Sequence, residues 1–229
     1  MTRNLDALDY RVLTSADELA AMPAFEQFIW GGEGELVSVN ILVAIVHEGG
    51  LAIAAYDRDR IVASAFAFPT HHAGVLHSHY MAVHPDHRGA GLGERMKREQ
   101  AKWCATEGYH AMRWTFDPLQ LTNAHLNLNK LGALGVQYHE NLYGALGGIN
   151  GSLPSDRLTV QWELVAPRPA FTESFVLSVP PVSPEQIAAS APEAFAARMA
   201  IRDEMAPHLH DGWCVTAVDR HERTYTLSR

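Results

Sequence analysis

The fold of this chain is decided by residues 77–93, which read His77-Ser78-His79-Tyr80-Met81-Ala82-Val83-His84-Pro85-Asp86-His87-Arg88-Gly89-Ala90-Gly91-Leu92-Gly93. A strand pattern ends at Val83, and a helical pattern with an apolar face begins at Gly91. The three glycines allow backbone N–H groups to converge on one point without interference from Cβ atoms. Because the helix start is electropositive and Arg88 adds a full charge, the segment predicts a site for an anionic phosphate.

Two other phosphate-binding motifs fit this segment poorly. A Walker A loop requires Lys-Ser or Lys-Thr after its glycines, and neither pair follows here. The spacing of Gly89, Gly91 and Gly93 also departs from the dinucleotide-binding pattern Gly-x-Gly-x-x-Gly. A glycine-rich helix start that serves only as a turn is the alternative that the segment leaves open.

In its strand-loop-helix setting, Arg88-Gly89-Ala90-Gly91-Leu92-Gly93 resembles the [Gln/Arg]-x-x-Gly-x-[Gly/Ala] signature of the GNAT acetyltransferases at every defined position. Asn123-Ala124 and Lys130-Leu131-Gly132 resemble the next helix of that family, and the element order is similar from about residue 36 to residue 165. The resemblance implies an α/β (α+β) fold: a mixed, mostly antiparallel sheet with splayed central strands and flanking helices.

The same resemblance implies acetyl-CoA as cosubstrate. The backbone at residues 81–83 would pair with the pantetheine arm, the N–H groups of residues 88–93 would hold the pyrophosphate, and Asn123 would reach the cofactor from the facing helix. A cap at the start of that helix is the alternative role for Asn123. The cofactor-binding residues implied in this way are Met81, Ala82, Val83, Arg88, Gly89, Ala90, Gly91, Leu92, Gly93 and Asn123.

Transfer of an acetyl group to an amine needs a base, because the amine is mostly protonated at pH 7. Side-chain alternation predicts that His77, His79, Met81 and Val83 lie on one side of a strand, and histidine has a suitable pKa for a base. The string is similar to the strand of arylalkylamine N-acetyltransferases on which two histidines relay a proton, which implies that role for His77 and His79. The alternatives are purely structural histidines and a zinc site, although no cysteine or carboxylate cluster completes the latter.

The general acid departs from the family pattern. Many GNAT enzymes carry a tyrosine where this chain has Leu128, and Gly132 is followed by Ala133 rather than phenylalanine. Tyr138 is the catalytic candidate that we select instead, with Tyr143 as a second one. Packing is the alternative role for both tyrosines, and water is an alternative acid.

Several later segments resemble a GNAT-like group whose acceptor the sequence does not reveal. They are Asp117-Pro118-Leu119, Asn123-Ala124-His125, Lys130-Leu131-Gly132, Asn141-Leu142-Tyr143-Gly144 and Ser155-Asp156-Arg157. Arg157 and Trp162 follow a glycine-rich loop at 144–154, so they are candidates for the acceptor pocket. A surface ion pair and a core aromatic residue are their alternative roles.

Hydrophobic periodicity and turn residues predict the remaining elements. Ser15 and Glu18 form the pattern of a capping box before the first helix, and Gly108 suits the end of the helix that follows the glycine motif. We expect helices at 16–30 (bent at Pro23), 36–46, 91–107, 123–134 and 184–205. We expect strands at 51–56, 61–68, 75–83, 110–116, 136–143, 158–164, 171–179, 213–218 and 224–227.

A change in composition around residues 166–169 divides the prediction into two domains. Residues 1–166 form the acetyltransferase domain, and residues 167–229 form a small C-terminal α/β extension. Aromatic residues such as Phe171, Phe175 and Trp213 give the extension apolar anchors that a disordered tail would lack.

Composition narrows the classes of function. The chain has 229 residues, 47% of them apolar, and a formal net charge of -8. An acidic chain is a poor general binder of nucleic acid, and no signal peptide or apolar membrane span is present in the sequence. We therefore expect a cytoplasmic protein without nucleic-acid or membrane partners. Cys104 and Cys214 form no metal or redox motif, and Cys104 is expected to be a small buried apolar residue.

The sequence thus predicts an acetyl-CoA-dependent N-acetyltransferase whose acceptor is an amine of a small molecule or peptide, with no metal. Two other functions stay open at this point: a non-catalytic acyl-CoA-binding regulatory protein, and a nucleotide-binding module of another fold. The choice between a monomer and a homodimer is also open.

Overall fold

The computed structural model describes residues 4–30, 37–144 and 152–229, which form two compact units, 1–113 and 114–229. Most of the predicted glycine-rich loop at 144–154 lies outside the described residues. Helices flank a largely antiparallel sheet, so the predicted α/β fold class is confirmed. Within the described ranges, no helix is long and apolar enough to cross a membrane.

The first unit is built on a meander of strands. Its elements are β1 (Asp9–Val12), α1 (Ala16–Leu19), α2 (Ala21–Trp30), α3 (Val39–His47), β2 (Leu51–Asp57), β3 (Arg60–Pro69), β4 (Val75–Val83), α4 (Leu92–Thr106) and the first half of β5 (Ala111–Phe116). Strands β1 to β4 pair antiparallel in sequence order. Strand β5 pairs with β4 in parallel, through a short ladder that ends at His77 and Arg113.

Both faces of this sheet are covered, which explains why β2 and β3 read as nearly continuous apolar runs. On one face, residues of α1, α2 and α3 pack against Ala52, Ala54 and Phe66. On the other face α4 contacts β2, β3 and β4. The side chains that α4 buries include Leu92, Met96 and Cys104, so the prediction of a buried Cys104 is confirmed.

Local signals predicted this unit well. The capping box is present, with Ser15 and Glu18 each bonded to the backbone of the other. The predicted helix at 16–30 is interrupted at Ala20 rather than at Pro23, because Pro23 lies in the first turn of α2, where its missing N–H costs no bond. Gly108 follows the end of α4 with φ +80°, the left-handed conformation that a helix end favours.

The second unit also combines strands and helices. Its elements after β5 are α5 (Leu121–Ala124), a π-helical segment (His125–Lys130), β6 (Leu134–His139), β7 (Arg157–Glu163), β8 (Ser174–Ser178), α6 (Pro184–Ala188), α7 (Pro192–His210), β9 (Cys214–Asp219) and β10 (Thr224–Ser228). Successive neighbours in the order β7, β6, β9, β10, β8 pair antiparallel.

Two predicted helices of this unit need correction. The helix expected at 123–134 begins at Leu121 and widens into π-helical turns, where the Asn129 amide donates to Val218 O and accepts from Val218 N, both at 3.0 Å. The helix expected at 184–205 is two helices, because Ser190 adopts φ +53° and Pro192 starts α7.

The strand expected at 136–143 ends early, at His139. Asn141 adopts φ +45° and turns the chain, and its side chain accepts a hydrogen bond from Ser155 N at 3.0 Å. Asparagine tolerates this left-handed conformation better than most residues, so the turn is stable.

The boundary predicted after residue 166 does not coincide with the division into compact units. It falls inside the second unit because strands on both sides of it pair: Gly135 of β6 lies opposite Val215 of β9. A Cβ atom at Gly135 would lie 2.8 Å from Val215 Cβ. The close approach of β6 and β9 at this point therefore requires glycine. Residues 167–229 contain β8, α6, α7, β9 and β10, and their identity as a separate domain stays a prediction.

Candidate functional site

A β-bulge in β4 determines where the predicted site residues point. Ser78 lies opposite Ala67 and Tyr80 lies opposite Phe66, which leaves His79 as the extra residue. His79 lies 5.2 Å from Phe66 and 5.6 Å from Phe68 between ring centroids, and His77 stacks on Phe68 at 4.9 Å. Both histidines therefore share the face that α2 and α3 cover, with their rings 5.8 Å apart.

The predicted common face for the histidines, Met81 and Val83 is wrong. Met81 lies opposite Ala65, which shares a face with Ala67 and hence with Ser78. Ser78 faces α4, because its hydroxyl donates to Gln100 Oε1 at 3.1 Å. The extra residue in the bulge shifts the alternation by one position, so Met81 and Val83 point to the α4 side.

The two histidines are held in their neutral forms. Burial, followed by the positive charges of His79, Lys97 and Arg113, lowers the pKa of His77 to about 4. His79 is more exposed, and its partial desolvation by the neighbouring rings lowers its pKa as well. A neutral imidazole is the form that accepts a proton, and the same lowering of the pKa makes each ring a weaker base than an exposed histidine.

Sequence reasoning missed a group of polar side chains on the same face. The Tyr80 hydroxyl is hydrogen-bonded to the Ser64 hydroxyl, and burial raises the pKa of Tyr80. Glu26 of α2 lies close enough to act electrostatically on Tyr80, and burial raises the pKa of Glu26. A glutamate within an amphipathic helix gives no signal in the sequence that separates it from a solvated one.

A buried amine lies on the opposite face of β4. The Lys97 ammonium donates to Ser78 Oγ at 2.8 Å, and Lys97 and Ser78 are 3% and 2% exposed. Burial lowers the pKa of Lys97 to about 7. Lys97 lies beside Met96 and Gln100 on the buried face of α4, although a lysine in a helix is ordinarily exposed.

The segment between β4 and α4 has the geometry of an anion site. Gly89 and Gly91 adopt φ +75° and φ +88°, and Gly91 caps α4 without a side-chain hydrogen bond. Among the residues that the structure describes, the backbone N–H groups of residues 89–93 have no hydrogen-bond acceptor. The first turn of a helix carries such free donors together with the positive end of the dipole.

The backbone N–H group of Arg88 is not one of the free donors, contrary to the prediction. Its N–H donates to Pro85 O at 3.1 Å, which removes it from the set of free donors. Its guanidinium Nε donates to Val83 O at 3.1 Å and is otherwise exposed. Arg88 thus connects the end of β4 to the loop, and its positive charge remains close to the free N–H groups.

The backbone at the end of β4 lies next to this loop. Met81, Ala82 and Val83 pair with β3 on one side. Within the first unit, the ladder between β4 and β5 runs from Val75 and Ala111 to His77 and Arg113. The splay expected between the central strands stays a prediction.

The candidates in the second unit have different surroundings. The Tyr138 hydroxyl donates to Asp156 Oδ2 at 2.7 Å, and burial followed by the Asp156 charge raises the pKa of Tyr138. Asp156 also accepts two hydrogen bonds from Arg202, at 2.9 and 2.6 Å. Tyr138 is therefore part of a buried network. Tyr143 is more exposed, and its hydroxyl lies 3.2 Å from Thr115 Oγ1.

The remaining candidates are one residue for the cofactor, Asn123, and two for the acceptor pocket, Arg157 and Trp162. Asn123 is exposed on the third residue of α5 and is not its cap, which is Gln120. Arg157 is buried, donates to Asp156 O at 2.9 Å and lies over the Tyr143 ring, so it is not a surface ion pair. Trp162 packs edge-on against Trp114. The roles of all three stay predictions. In the described ranges, no three His, Cys, Asp or Glu side chains gather into a possible metal site.

Comparison with known proteins identifies the class. The model of the acetyltransferase (GNAT) family matches residues 13–132, which is more than half of the chain. This chain belongs to the GNAT acetyltransferase family, and the activity that membership implies is acyl transfer from acetyl-CoA. None of the curated protein sequences matches the chain.

Solved structures share the fold at low sequence identity. The ribosomal-protein-S18-alanine N-acetyltransferase from Escherichia coli is 16% identical with a TM-score of 0.56, over 70% of this chain and 96% of that one. A phosphinothricin acetyltransferase from Sinorhizobium meliloti, in complex with acetyl-CoA, is 15% identical with a TM-score of 0.53, over 72% and 94%. The ribosomal-protein-alanine N-acetyltransferase from Brucella melitensis is 15% identical with a TM-score of 0.55, over 68% and 99%.

Proposed function

We propose that this chain transfers the acetyl group of acetyl-CoA to an amine of a small molecule or peptide. The observation that carries the proposal is the set of free backbone N–H groups at residues 89–93, at the start of α4. These groups fit the pyrophosphate of CoA, because the donors and the helix dipole both favour an anion. The backbone of β4 at Met81, Ala82 and Val83 is the proposed partner for the amide groups of the pantetheine arm.

Bound acetyl-CoA supplies a thioester whose carbonyl carbon accepts the amine nitrogen while the C–S bond breaks and a thiolate leaves. The chain's part is to hold the pyrophosphate at residues 89–93 and to remove the proton of the amine. We assign that proton to His77 and His79, which are neutral at pH 7 and share one face of β4. Tyr138 or water is the proposed proton donor to the thiolate.

The face of β4 that carries the histidines suggests the side from which the acceptor arrives. The free N–H groups begin the helix that packs on the opposite face, next to Ser78. We therefore propose that the acceptor amine approaches from the side of α2 and α3. This arrangement would keep the amine and the cofactor apart until they meet beside the bulge.

The test is acetyl-CoA turnover with a library of amines. Thiol release is followed with a thiol reagent, and the acetylated amine is identified by mass spectrometry. The proposal predicts release that depends on the amine, together with a product acetylated on nitrogen. Thiol release that is the same with and without every amine would contradict it.

One observation favours a second function, a non-catalytic acyl-CoA-binding regulatory protein. Leu128 occupies the position of the family's tyrosine acid and is 1% exposed, and the hydroxyl of Tyr138 already donates to Asp156. Stoichiometric binding of acetyl-CoA without turnover of any amine would support this second function over the first.

A further inference from the structure

Two charged side chains of the first unit have a buried polar atom without a partner. They are Glu26, through Oε2, and Arg113, through Nε, and neither atom has a hydrogen-bond partner in the described part of the chain. Leaving a buried donor or acceptor unpaired costs stability. Two such groups of opposite charge within one unit point to a ligand that would satisfy both.

Both groups lie on the face of the histidines. Arg113 is opposite His77 in the last pair of the β4–β5 ladder, and its charge acts on the His77 ring. Glu26 belongs to α2, whose Met22 packs in the cluster that contains Phe66. Glu26 acts on Tyr80, which lies opposite Phe66 on the same face. The charged and titratable groups on this face include His77, His79, Tyr80, Glu26 and Arg113, and Tyr56 packs against the same cluster.

Among the described residues, Arg113 lacks the carboxylate partner that two arginines of α7 have. The Arg198 guanidinium donates two hydrogen bonds to Asp117, at 2.5 and 2.8 Å, and Arg202 does the same with Asp156. No described carboxylate forms an ion pair with Arg113. A guanidinium is a forked donor that matches a carboxylate in geometry and charge.

We propose that the acceptor is an amino acid or a closely similar amine, whose carboxylate binds Arg113 and whose ammonium is drawn to Glu26 before transfer. This inference rests on the proposed acetyl transfer and names its substrate class. Since Arg113 is next to His77, a carboxylate bound there places the neighbouring amine close to the two histidines. The proton of the ammonium then passes to a histidine. The nitrogen forms its bond to the acetyl carbon as the thioester C–S bond breaks and the CoA thiolate leaves.

The proposed contacts with Arg113 and Glu26 require a carboxylate close to the amine, which distinguishes free amino acids from other acceptors. An N-terminal amine of a peptide, or a lysine side chain within a protein, has no carboxylate on the adjacent carbon. A free amino acid has both groups a few bonds apart. The expected substrates are therefore free amino acids rather than proteins.

The experiment compares three forms of each standard amino acid: the free acid, its amide, and the decarboxylated amine. For the wild-type protein we expect the free acid to have the highest kcat/KM, by about tenfold to a hundredfold, which corresponds to one or two charge-assisted hydrogen bonds. Arg113→Gln should lose this preference, so that its kcat/KM values for the acid and the amide become similar, and Arg113→Lys should restore part of the preference. Glu26→Gln should lower kcat/KM for all three forms alike, because each carries an ammonium.

Arg58→Gln is the matched control, because Arg58 lies in an exposed turn of the same unit and its substitution removes the same charge. Each variant is first checked by thermal unfolding. If Arg113→Gln does not fold, the inference is tested by comparing how strongly the wild-type protein and Arg113→Lys prefer the free acid over the amide and the amine. Equal kcat/KM for acid, amide and amine in the wild-type protein would overturn the inference and leave the acetyl transfer intact. Failure to acetylate any amine at all would instead overturn the proposed function.

Discussion

At the scale of single residues, the His77 ring combines a position for catalysis with an unusual proton affinity. Its neighbours lower its pKa to about 4, mainly through burial. Because the folded pKa is below the ordinary histidine value of about 6.5, His77 remains unprotonated over most of the range in which the protein would work. The same shift means that the folded state loses stability as the pH falls from about 6.5 toward 4.

The first prediction concerns both histidines. The double variant His77→Gln, His79→Gln should lose at least about a hundredfold in kcat/KM, since a general base typically contributes that much or more. The wild-type kcat/KM should rise with pH through an ionisation below the ordinary histidine range and then level off. The variant should lack this rise and still bind CoA. A double variant with the wild-type rate and pH profile would show that the histidines are structural.

Lys97 provides the second prediction, which concerns stability. Its pKa is lowered to about 7 in the folded protein, against about 10.4 in an unfolded chain. Between these values the unfolded chain binds more protons, so the free energy of unfolding should rise with pH, by at most about 1.4 kcal/mol per pH unit.

Denaturant unfolding between pH 7 and pH 9 measures this slope. Lys97→Met should remove the contribution, whereas Lys102→Met, a change at an exposed position of the same helix, should leave the slope as it is. Parallel stability curves for the wild-type protein and Lys97→Met would contradict the assignment.

At the scale of elements, the sequence predicted what local patterns control. The strands β2 to β4, the helix α4 and the capping box were predictable because hydrophobic period, turn residues and caps act over a few neighbouring positions. The glycine-rich segment before α4 was predictable for the same reason. Its free N–H groups follow directly from a helix that starts without a side-chain cap.

The elements that were predicted wrongly depend on contacts between distant parts of the chain. The bulge at His79 arises from the register between β3 and β4, which strand alternation within β4 does not reveal. The π-helical turns at 125–130 depend on the bonds between Asn129 and Val218. Likewise, Glu26 and Arg113 became candidates only when the fold showed that one buried atom of each side chain lacks a hydrogen-bond partner among the described residues.

At the scale of the whole molecule, the last third of the chain is joined to the residues before it within the second unit. Arg198 and Arg202 of α7 pair with Asp117 and Asp156. The Tyr225 hydroxyl donates to Pro118 O at 2.7 Å and is fully buried. Removal of residues 167–229 would therefore leave Asp117 and Asp156 without their partners and expose apolar surface.

The third prediction follows from these contacts. Truncation after Ala166 should yield a chain that is insoluble or unfolded, because breaking a buried ion pair alone typically costs about 3–5 kcal/mol. The measurement is circular dichroism and thermal unfolding of the truncated chain beside the full one. A truncated chain that unfolds cooperatively near the temperature of the full protein would contradict the prediction and support an independent extension.

CoA titration of two glycine variants is the direct test of CoA binding at the start of α4. Gly91 and Gly108 lie at opposite ends of α4 with φ +88° and φ +80°, so glutamate strains the backbone equally at both. Only at Gly91 does the new carboxylate lie beside the free N–H groups of residues 89–93. By isothermal titration we expect the wild-type protein and Gly108→Glu to bind CoA with similar affinity and folded Gly91→Glu to bind none. Unchanged CoA affinity in folded Gly91→Glu would contradict the account.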